Sequence, residues 1–238
     1  MVVKLEVVEQ IEVALDTAAK PQKVILPYAH DHEYFVEQIG ELTPRRGYRF
    51  VKRAVDIVAS LCALILFAIP MVVIGIAIKL DSDGPVFYRQ ERLGLNGKPF
   101  DCIKFRSMRV DAERNGAQWS GGDEDPRITR VGRAIRKSRL DELPQFFLTL
   151  TGKMTLVGPR PERECFYREF EEYIHGFSER LKVKPGFTGL AQVSGGYNLK
   201  PEEKIVYDIE YIKKRSLWLD LKILLMTVKV VICGDGAK

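Results

Sequence analysis

"IVASLCALILFAIPMVVIGIAI", Ile57–Ile78, runs for 22 residues without a charge. As a helix it would extend roughly 33 Å, enough to cross the hydrocarbon core of a bilayer. A single transmembrane span is the simplest reading, and two features oppose it. Arg45, Arg46, Arg49, Lys52 and Arg53 precede the stretch, and Lys79, Arg89 and Arg92 follow it. Basic residues hold a helix end on the cytoplasmic side, and here both ends carry them. Pro70 also sits inside the stretch, where it removes a backbone donor and crowds the preceding turn. A helix broken at Pro70 would enter the apolar layer, turn, and leave by the same face, with Ser60 helping to satisfy backbone groups inside lipid. On these residues alone the span and the re-entrant turn both stay open.

The chain around this stretch is unevenly charged. Residues 1–44 hold eight acids against three lysines, a balance of −5, so the net +5 of the whole leaves about +10 on residues 45–238. A basic body points to anionic partners: phosphorylated small molecules, lipid headgroups or nucleic acid. Cys62, Cys102, Cys165 and Cys233 are widely spaced with no C-x-x-C, which disfavours disulfides and a zinc site and fits a reducing compartment. No secretory leader is expected, because acids begin at Glu6 and no apolar run follows. Residues 1–45 read as an acidic extension with weak apolar alternation, and "HDH" at His30–His32 reads as an exposed polar turn rather than a metal site. No function is assigned to the extension.

Beyond the apolar stretch, "DSDGP" (Asp81–Pro85) offers a D-x-D pair suited to a sugar-nucleotide metal site, but Gly84-Pro85 favours a turn. Asn96-Gly97 between "VFYRQERLG" and "KPFDCIKFRSM" is a hairpin signal. Lys104 and Arg106 fall on one face of its second strand, as a solvated basic face or a phosphate grip. Asn115–Asp125 is a polar, Gly-rich loop. Helical periodicity begins near Thr129, with Val131, Ala134 and Ile135 on one side and Arg130, Arg133, Arg136 and Lys137 on others. Ser138 is expected to cap a new helix, with Asp141 in capping-box position, Pro144 in the first turn, and Leu143, Phe146, Phe147 and Leu150 burying one face. Asp141 and Glu142 then lie at a helix N-terminus, where acids are stabilised in any case. In "TGKMTLVGPRPE", Pro159 and Pro161 stiffen the chain around Arg160, which is therefore aimed. "KVKPGFTGLAQVSGG" is a second Gly-rich loop whose backbone could approach a ligand. After Pro201, "EEKIVYDIEYIKKRS" reads as an amphipathic helix. "LWLDLKILLMTVKVVI" reads as a core helix, with an interfacial helix as the alternative.

These motifs in this order resemble the bacterial monotopic phosphoglycosyl transferases, the bacterial sugar transferases, over about residues 46–238. The resemblance implies an α+β, mostly helical chain. Its parts would be the extension 1–45, a re-entrant membrane helix region 46–82 kinked at Pro70, and a catalytic domain 83–238 with a small β-hairpin and amphipathic interfacial helices. The family's helix break is often Ser-Pro, whereas here Ile69 precedes Pro70. The implied reaction moves a sugar phosphate from a UDP-sugar to undecaprenyl phosphate, or another polyprenyl phosphate, and releases UMP. It begins exopolysaccharide, O-antigen, capsule or glycoconjugate assembly on the cytoplasmic face of the bacterial inner membrane, among its lipids. The resemblance also implies a catalytic pair at Asp141-Glu142 and a magnesium ion. Lys104, Arg136 and Arg160 fall where the family works near the phosphates, and Arg106 is added from its place on the strand. Oligomeric state, a homo-oligomer included, is left open.

The chemistry is consistent with that pair. A lipid phosphate is already ionised near neutral pH and needs no strong base. A carboxylate is then better used as nucleophile or metal ligand, with Asp141 the nucleophile and Glu142 binding magnesium or orienting it. An anion attacking a diphosphate needs cations nearby, and these are expected to keep Asp141 ionised. Two rival readings remain. A non-enzymatic membrane-surface protein explains the charge but not a carboxylate pair beside a rigid arginine. A glycosyltransferase using Asp81 and Asp83 would release UDP instead. A nucleic-acid partner is not expected, since no aromatic residue interleaves the basic run 127–139.

Overall fold

The computed structural model describes residues 24–25, 32–114, 117–118, 125–195 and 199–233. In chain order its elements are β1 (Val24–Ile25), β2 (Tyr34–Phe35), α1 (Arg46–Leu66), α2 (Ala68–Asp81), β3 (Phe87–Leu93), β4 (Pro99–Phe105), β5 (Ala117–Gln118), α3 (Arg130–Lys137), α4 (Gln145–Thr151), β6 (Thr155–Val157), α5 (Glu164–Glu171), β7 (Ile174–His175), β8 (Gly186–Thr188), α6 (Leu190–Ser194), α7 (Pro201–Lys214) and α8 (Leu217–Cys233). Among the described residues the strands form pairs only: β3–β4 antiparallel, and β1–β5, β2–β7 and β6–β8 parallel. The chain is α+β and mostly helical. His30 and Asp31, and most of the loop Asn115–Asp125, lie outside the described residues.

The apolar stretch is broken. Helices α1 and α2 meet at Phe67 with a bend of 59°, and among the described residues no single helix is long and apolar enough to cross a membrane. Pro70 lies in the first turn of α2, where its missing N–H leaves no intrahelical bond unmade. Ser60 does not serve the break: it is fully buried and its hydroxyl has no hydrogen-bond partner. It lies about two turns before Phe67, on the face of α1 turned toward the body.

Each half of the bent pair docks on the body by itself. In α1 the buried Asp56 accepts a hydrogen bond from the Leu156 N–H at 2.9 Å and one from the Thr155 hydroxyl at 2.8 Å. Arg53 donates to the Thr149 and Leu150 carbonyls, each at 2.7 Å, at the end of α4, where Thr149 also accepts the Gly152 N–H at 3.1 Å. In α2, Ile74 and Ile78 pack with Phe105, Ile135 and Leu143. The outer faces stay apolar and exposed: Val58, Leu61, Ile65 and Leu66 on α1, and Ile69, Val72, Val73 and Ile76 on α2. Two separate dockings thus set the bend.

The hairpin forms as its turn residues dictate. Asn96 and Gly97 both have positive φ, 56° and 71°, and the Lys98 N–H closes the turn on the Leu95 carbonyl. The main core gathers Phe166, Phe170, Ile174, Phe177, Ile209 and Ile212 from α5, β7, a 3₁₀ segment Phe177–Lys182 and α7. Part of the acidic extension crosses this core. Strand β2 pairs with β7, Ile39 is buried, its N–H donates to Glu179 at 2.6 Å, and its carbonyl accepts from Lys182. Helix α8 is two-sided: Asp220 and Ile223 are buried, while Trp218, Leu221, Leu225, Val228 and Val231 are exposed.

Asp56 is the joint between α1 and β6. Asp56→Ala strips partners from a buried N–H and a buried hydroxyl, at a cost of about 2 kcal/mol or more. The unfolding midpoint of the variant in detergent is expected to fall clearly below that of the unaltered chain. An unchanged midpoint would show that the other contacts of α1, Arg53 to the end of α4 among them, hold the helix without Asp56.

Candidate active site

Asp141 and Glu142 are placed by a helix ending. Thr129 caps α3 by accepting the Gly132 N–H at 2.9 Å. Ser138 closes that helix instead of opening another: its hydroxyl donates to the Ala134 carbonyl at 2.9 Å. Bonding back to the preceding turn is the usual alternative for a serine near a helix end. Arg139 then takes a left-handed conformation, φ 55°, and Leu140–Glu142 form a 3₁₀ turn that leads through Pro144 into α4. The carboxylates therefore sit in a reversal between two helices, not in the first turn of a helix begun at Ser138. Leu143 and Leu148 are buried behind them, and Phe147, expected inside, is 52% exposed.

Both carboxylates are buried, and their surroundings differ. Oε1 of Glu142 receives two charge-assisted hydrogen bonds, from Lys104 Nζ and from Arg160 Nη2, each at 2.6 Å. Burial raises its pKa, but Arg160 and Lys104 outweigh that and hold it well below the usual carboxylate range. Asp141 receives no hydrogen bond from any described residue. Burial pushes its pKa up to about 6, with Lys104 lowering it, Glu142 raising it, and Arg136 and Arg160 lowering it. The cations do not dominate at Asp141, because Glu142 takes the contacts of Lys104 and Arg160. One carboxylate is braced and anionic. Its neighbour is unbraced and turned to a cationic space.

Lys104 reaches this space from β4, and Arg136 from the last turn of α3. Arg106 does not join them. It follows β4 and is buried, and its guanidinium grips the Ser82 carbonyl at 2.7 Å and the Asp83 carbonyl at 2.5 Å. Asp81 accepts the Val131 N–H at 3.0 Å near the start of α3. "DSDGP" is thus a clamped turn between α2 and β3.

Arg160 is held by its backbone as much as by its prolines. The Arg160 carbonyl accepts from Arg180 Nη2 at 2.9 Å. Arg180 is buried, lies 4.8 Å over the Phe177 ring, and pairs with the buried Asp208 of α7 at 2.6 Å. At the other end of the loop the Val157 carbonyl accepts from Lys52 and from the Tyr211 hydroxyl, both at 2.9 Å. Lys52 and Tyr211 in turn meet the Asp220 carboxylate of α8, each at 2.8 Å. The glycines of "KPGFTG" serve this loop too: a Cβ on Gly186 would come within 2.1 Å of the Gly158 nitrogen, and one on Gly189 within 2.2 Å of its oxygen. Their close approach is to backbone. Arg180, Asp208 and Asp220 were missed from the sequence, although Asp208 and Asp220 betray themselves as acids on the apolar faces of their helices.

With this geometry in place, residues 47–234 match the model of the bacterial sugar transferases. The chain belongs to the bacterial sugar transferase family. It is 44% identical over 212 residues to an Aeromonas hydrophila protein named UDP-N-acetylgalactosamine-undecaprenyl-phosphate N-acetylgalactosaminephosphotransferase, covering 88% of this chain and 49% of that one. It is 43% identical over 192 residues to an Escherichia coli K12 UDP-glucose:undecaprenyl-phosphate glucose-1-phosphate transferase, covering 78% and 41%. It is 39% identical over 226 residues to a Salmonella typhimurium undecaprenyl-phosphate galactose phosphotransferase, covering 89% and 47%. The chain spans about half the length of these curated relatives. Their names differ in the sugar and agree on undecaprenyl phosphate.

Within this family member the Arg180–Asp208 pair underlies the Arg160 loop. Asp208→Ala leaves a buried guanidinium uncompensated, at a cost of about 3–5 kcal/mol. Denaturant unfolding is expected to show this as a large drop in midpoint. An undisturbed midpoint would mean that the Arg160 carbonyl and the Phe177 ring suffice to hold Arg180.

Proposed function

We propose that this chain transfers a sugar phosphate from a UDP-sugar to a polyprenyl phosphate, undecaprenyl phosphate by analogy with its relatives, in two displacements at Asp141. The observation that carries the reading is the unequal carboxylate pair, with Glu142 locked between Lys104 and Arg160 beside an unbonded Asp141. In the first displacement an Asp141 oxygen bonds to the phosphorus that bears the sugar. The bond from that phosphorus to the bridging oxygen breaks, and UMP departs with the electron pair. In the second, an oxygen of the lipid phosphate attacks the same phosphorus and restores the Asp141 carboxylate. The lipid phosphate is an anion, so neither displacement needs a proton removed from the nucleophile. Two successive displacements also spare the site from holding both bulky substrates at once.

Each neighbour then has a task. Lys104, Arg136 and Arg160 face the phosphate oxygens and offset the repulsion between carboxylate and diphosphate. Glu142 orients Lys104 and Arg160. Among the described residues no cluster of three metal-ligating side chains exists, and the two carboxylates are the donors they offer here. That donor set suits magnesium, which takes one or two carboxylates and completes its shell with water and substrate phosphates. Asp141 and Glu142 would hold it, and it would supply further neutralisation of phosphate charge. Arg106 stays outside this assignment, since its guanidinium is committed to Ser82 and Asp83.

The bent pair α1–α2 is read as a re-entrant membrane hairpin. Its exposed apolar outer faces support that reading, as do the basic flanks and the docking of both halves on one body. The body then lies at the cytoplasmic face of a bacterial inner membrane, with the exposed side of α8 at the lipid interface. The pathway served is the start of a surface polysaccharide or other glycoconjugate.

Two experiments test this. Asp141→Asn keeps shape and removes the nucleophile, so turnover of UDP-sugars with undecaprenyl phosphate should fall by at least three orders of magnitude while folding is retained. The nucleotide released by the unaltered chain should be UMP. Substantial activity with asparagine at 141, or release of UDP, contradicts the two-step reading. For topology, single cysteines at positions 50 and 82, in a chain lacking the native four, should resist an impermeant thiol reagent added outside intact cells and react after lysis. Labelling of one of them from outside would establish a span instead.

A further inference from the structure

At the end of α4 opposite the candidate catalytic pair, two cations from separate segments, Arg53 of α1 and Lys184 before β8, converge on a glycine. Gly152 closes the helix with φ 82°, the left-handed conformation common at that position. An atom placed where its Cβ would be lies 3.4 Å from the Arg53 guanidinium and 3.5 Å from Lys184 Nζ. A gap of atomic size is therefore flanked by a guanidinium and an ammonium. Arg53 spends one N–H of each terminal nitrogen on the Thr149 and Leu150 carbonyls, which leaves the others available. Lys184 has no hydrogen bond or ion pair to a described residue. Its pKa is pushed down by burial first, then by Arg53, with Asp56 opposing and Arg49 adding to the effect. The Asp56 carboxylate is already engaged by Thr155 and Leu156. Two positive groups thus flank the gap, with Arg49 one turn away and the one nearby acid committed, and an anion in the gap would relieve their repulsion.

The position of the cluster selects the anion. Arg49 and Arg53 lie one turn apart on α1, directly before its exposed apolar residues Val58, Leu61 and Ile65, and Phe50 between them is 77% exposed. With those apolar residues in lipid, the cluster sits at headgroup depth. Gly152 and Glu142 are separated by the length of α4, roughly 10 Å of helix, so the cluster is not part of the Glu142 site.

We propose that Arg53 and Lys184 beside Gly152, with Arg49 one turn earlier on α1, bind the phosphate of an anionic membrane phospholipid. This site rests on the membrane reading of α1–α2 given above. The lipid fixes the depth of α1 in the bilayer, and through Lys52 and Asp56 on the same helix it holds the Arg160 loop at a constant height over the headgroups.

The test uses the full chain in neutral detergent, with native mass spectrometry scoring bound phosphatidylglycerol against phosphatidylcholine of the same acyl chains. The unaltered chain should retain phosphatidylglycerol preferentially. Lys184→Gln should weaken phosphatidylglycerol about five-fold, the worth of one basic residue at an anionic surface, and leave phosphatidylcholine unchanged. Lys184→Arg should keep the preference, as should Lys222→Gln on the exposed part of α8. Inorganic phosphate in large excess should not displace the lipid. An unchanged preference in Lys184→Gln overturns the site. So does an equal loss in Lys222→Gln, which would mean diffuse charge, or displacement by inorganic phosphate, which would mean a soluble ligand. If neither lipid is retained by the unaltered chain, the membrane reading fails and the site fails with it.

Discussion

A single carboxylate oxygen, Oε1 of Glu142, organises the candidate site. It accepts from Lys104 on the hairpin and from Arg160 beyond β6, segments far apart in sequence, and joins them to a turn between α3 and α4. A buried carboxylate is tolerable only when paired, and a pair of cations is tolerable only around an acid. Each therefore fixes the other. Asp141 is kept out of this exchange because Glu142 has taken the hydrogen bonds. An ionisable group left without bonds beside aimed cations is poorly placed for structure and well placed for covalent chemistry.

The same logic runs outward from Arg160. Its loop is gripped through its carbonyls, by Arg180 at one end and by Lys52 and Tyr211 at the other. Lys52 belongs to α1, so the helix carrying the exposed apolar face and the arginine facing Glu142 share one polar network with Asp220 of α8. Tilting α1 cannot leave the loop undisturbed. The bend at Phe67 is likewise no local defect: α1 is tied to β6 and α4, α2 is packed against α3 and β4, and Pro70 is tolerated where the helix restarts. A body fastened to both arms of an apolar bent pair fits the proposed chemistry between a nucleotide sugar and a lipid phosphate.

Much of this was legible beforehand, for reasons that divide cleanly. Signals carried by a few adjacent residues are local and legible: the hairpin at Asn96-Gly97, the helix start at Thr129, and a break in the apolar stretch, which falls at Phe67, three residues before Pro70. Signals that depend on a distant partner are not. Ser138 could cap forwards or backwards, and the left-handed Arg139 decided it. Lys104 and Arg106 looked equivalent on the strand, but the strand ends at Phe105 and the second guanidinium turned to Ser82 and Asp83. The glycines of "KPGFTG" announced a close approach without naming the backbone of Gly158 as its object. Cations near Asp141 predicted an easily ionised acid, but burial and Glu142 reverse the sign. Arg180 was invisible because its partners, Asp208 and the Arg160 carbonyl, lie 28 and 20 residues away.

In the proposed reaction Asp141 becomes covalently bonded to the phosphosugar before the lipid acceptor takes part. Incubating the full chain with a UDP-sugar and magnesium in the absence of polyprenyl phosphate, quenching rapidly in acid, and weighing the intact protein and its peptides tests this most directly. The peptide that contains Asp141 should gain the mass of one sugar phosphate, with fragment ions placing it on Asp141 and not on Glu142, and should lose it once polyprenyl phosphate is added. A modification on Glu142, or product formation under acceptor with no adduct at any time point, would contradict it.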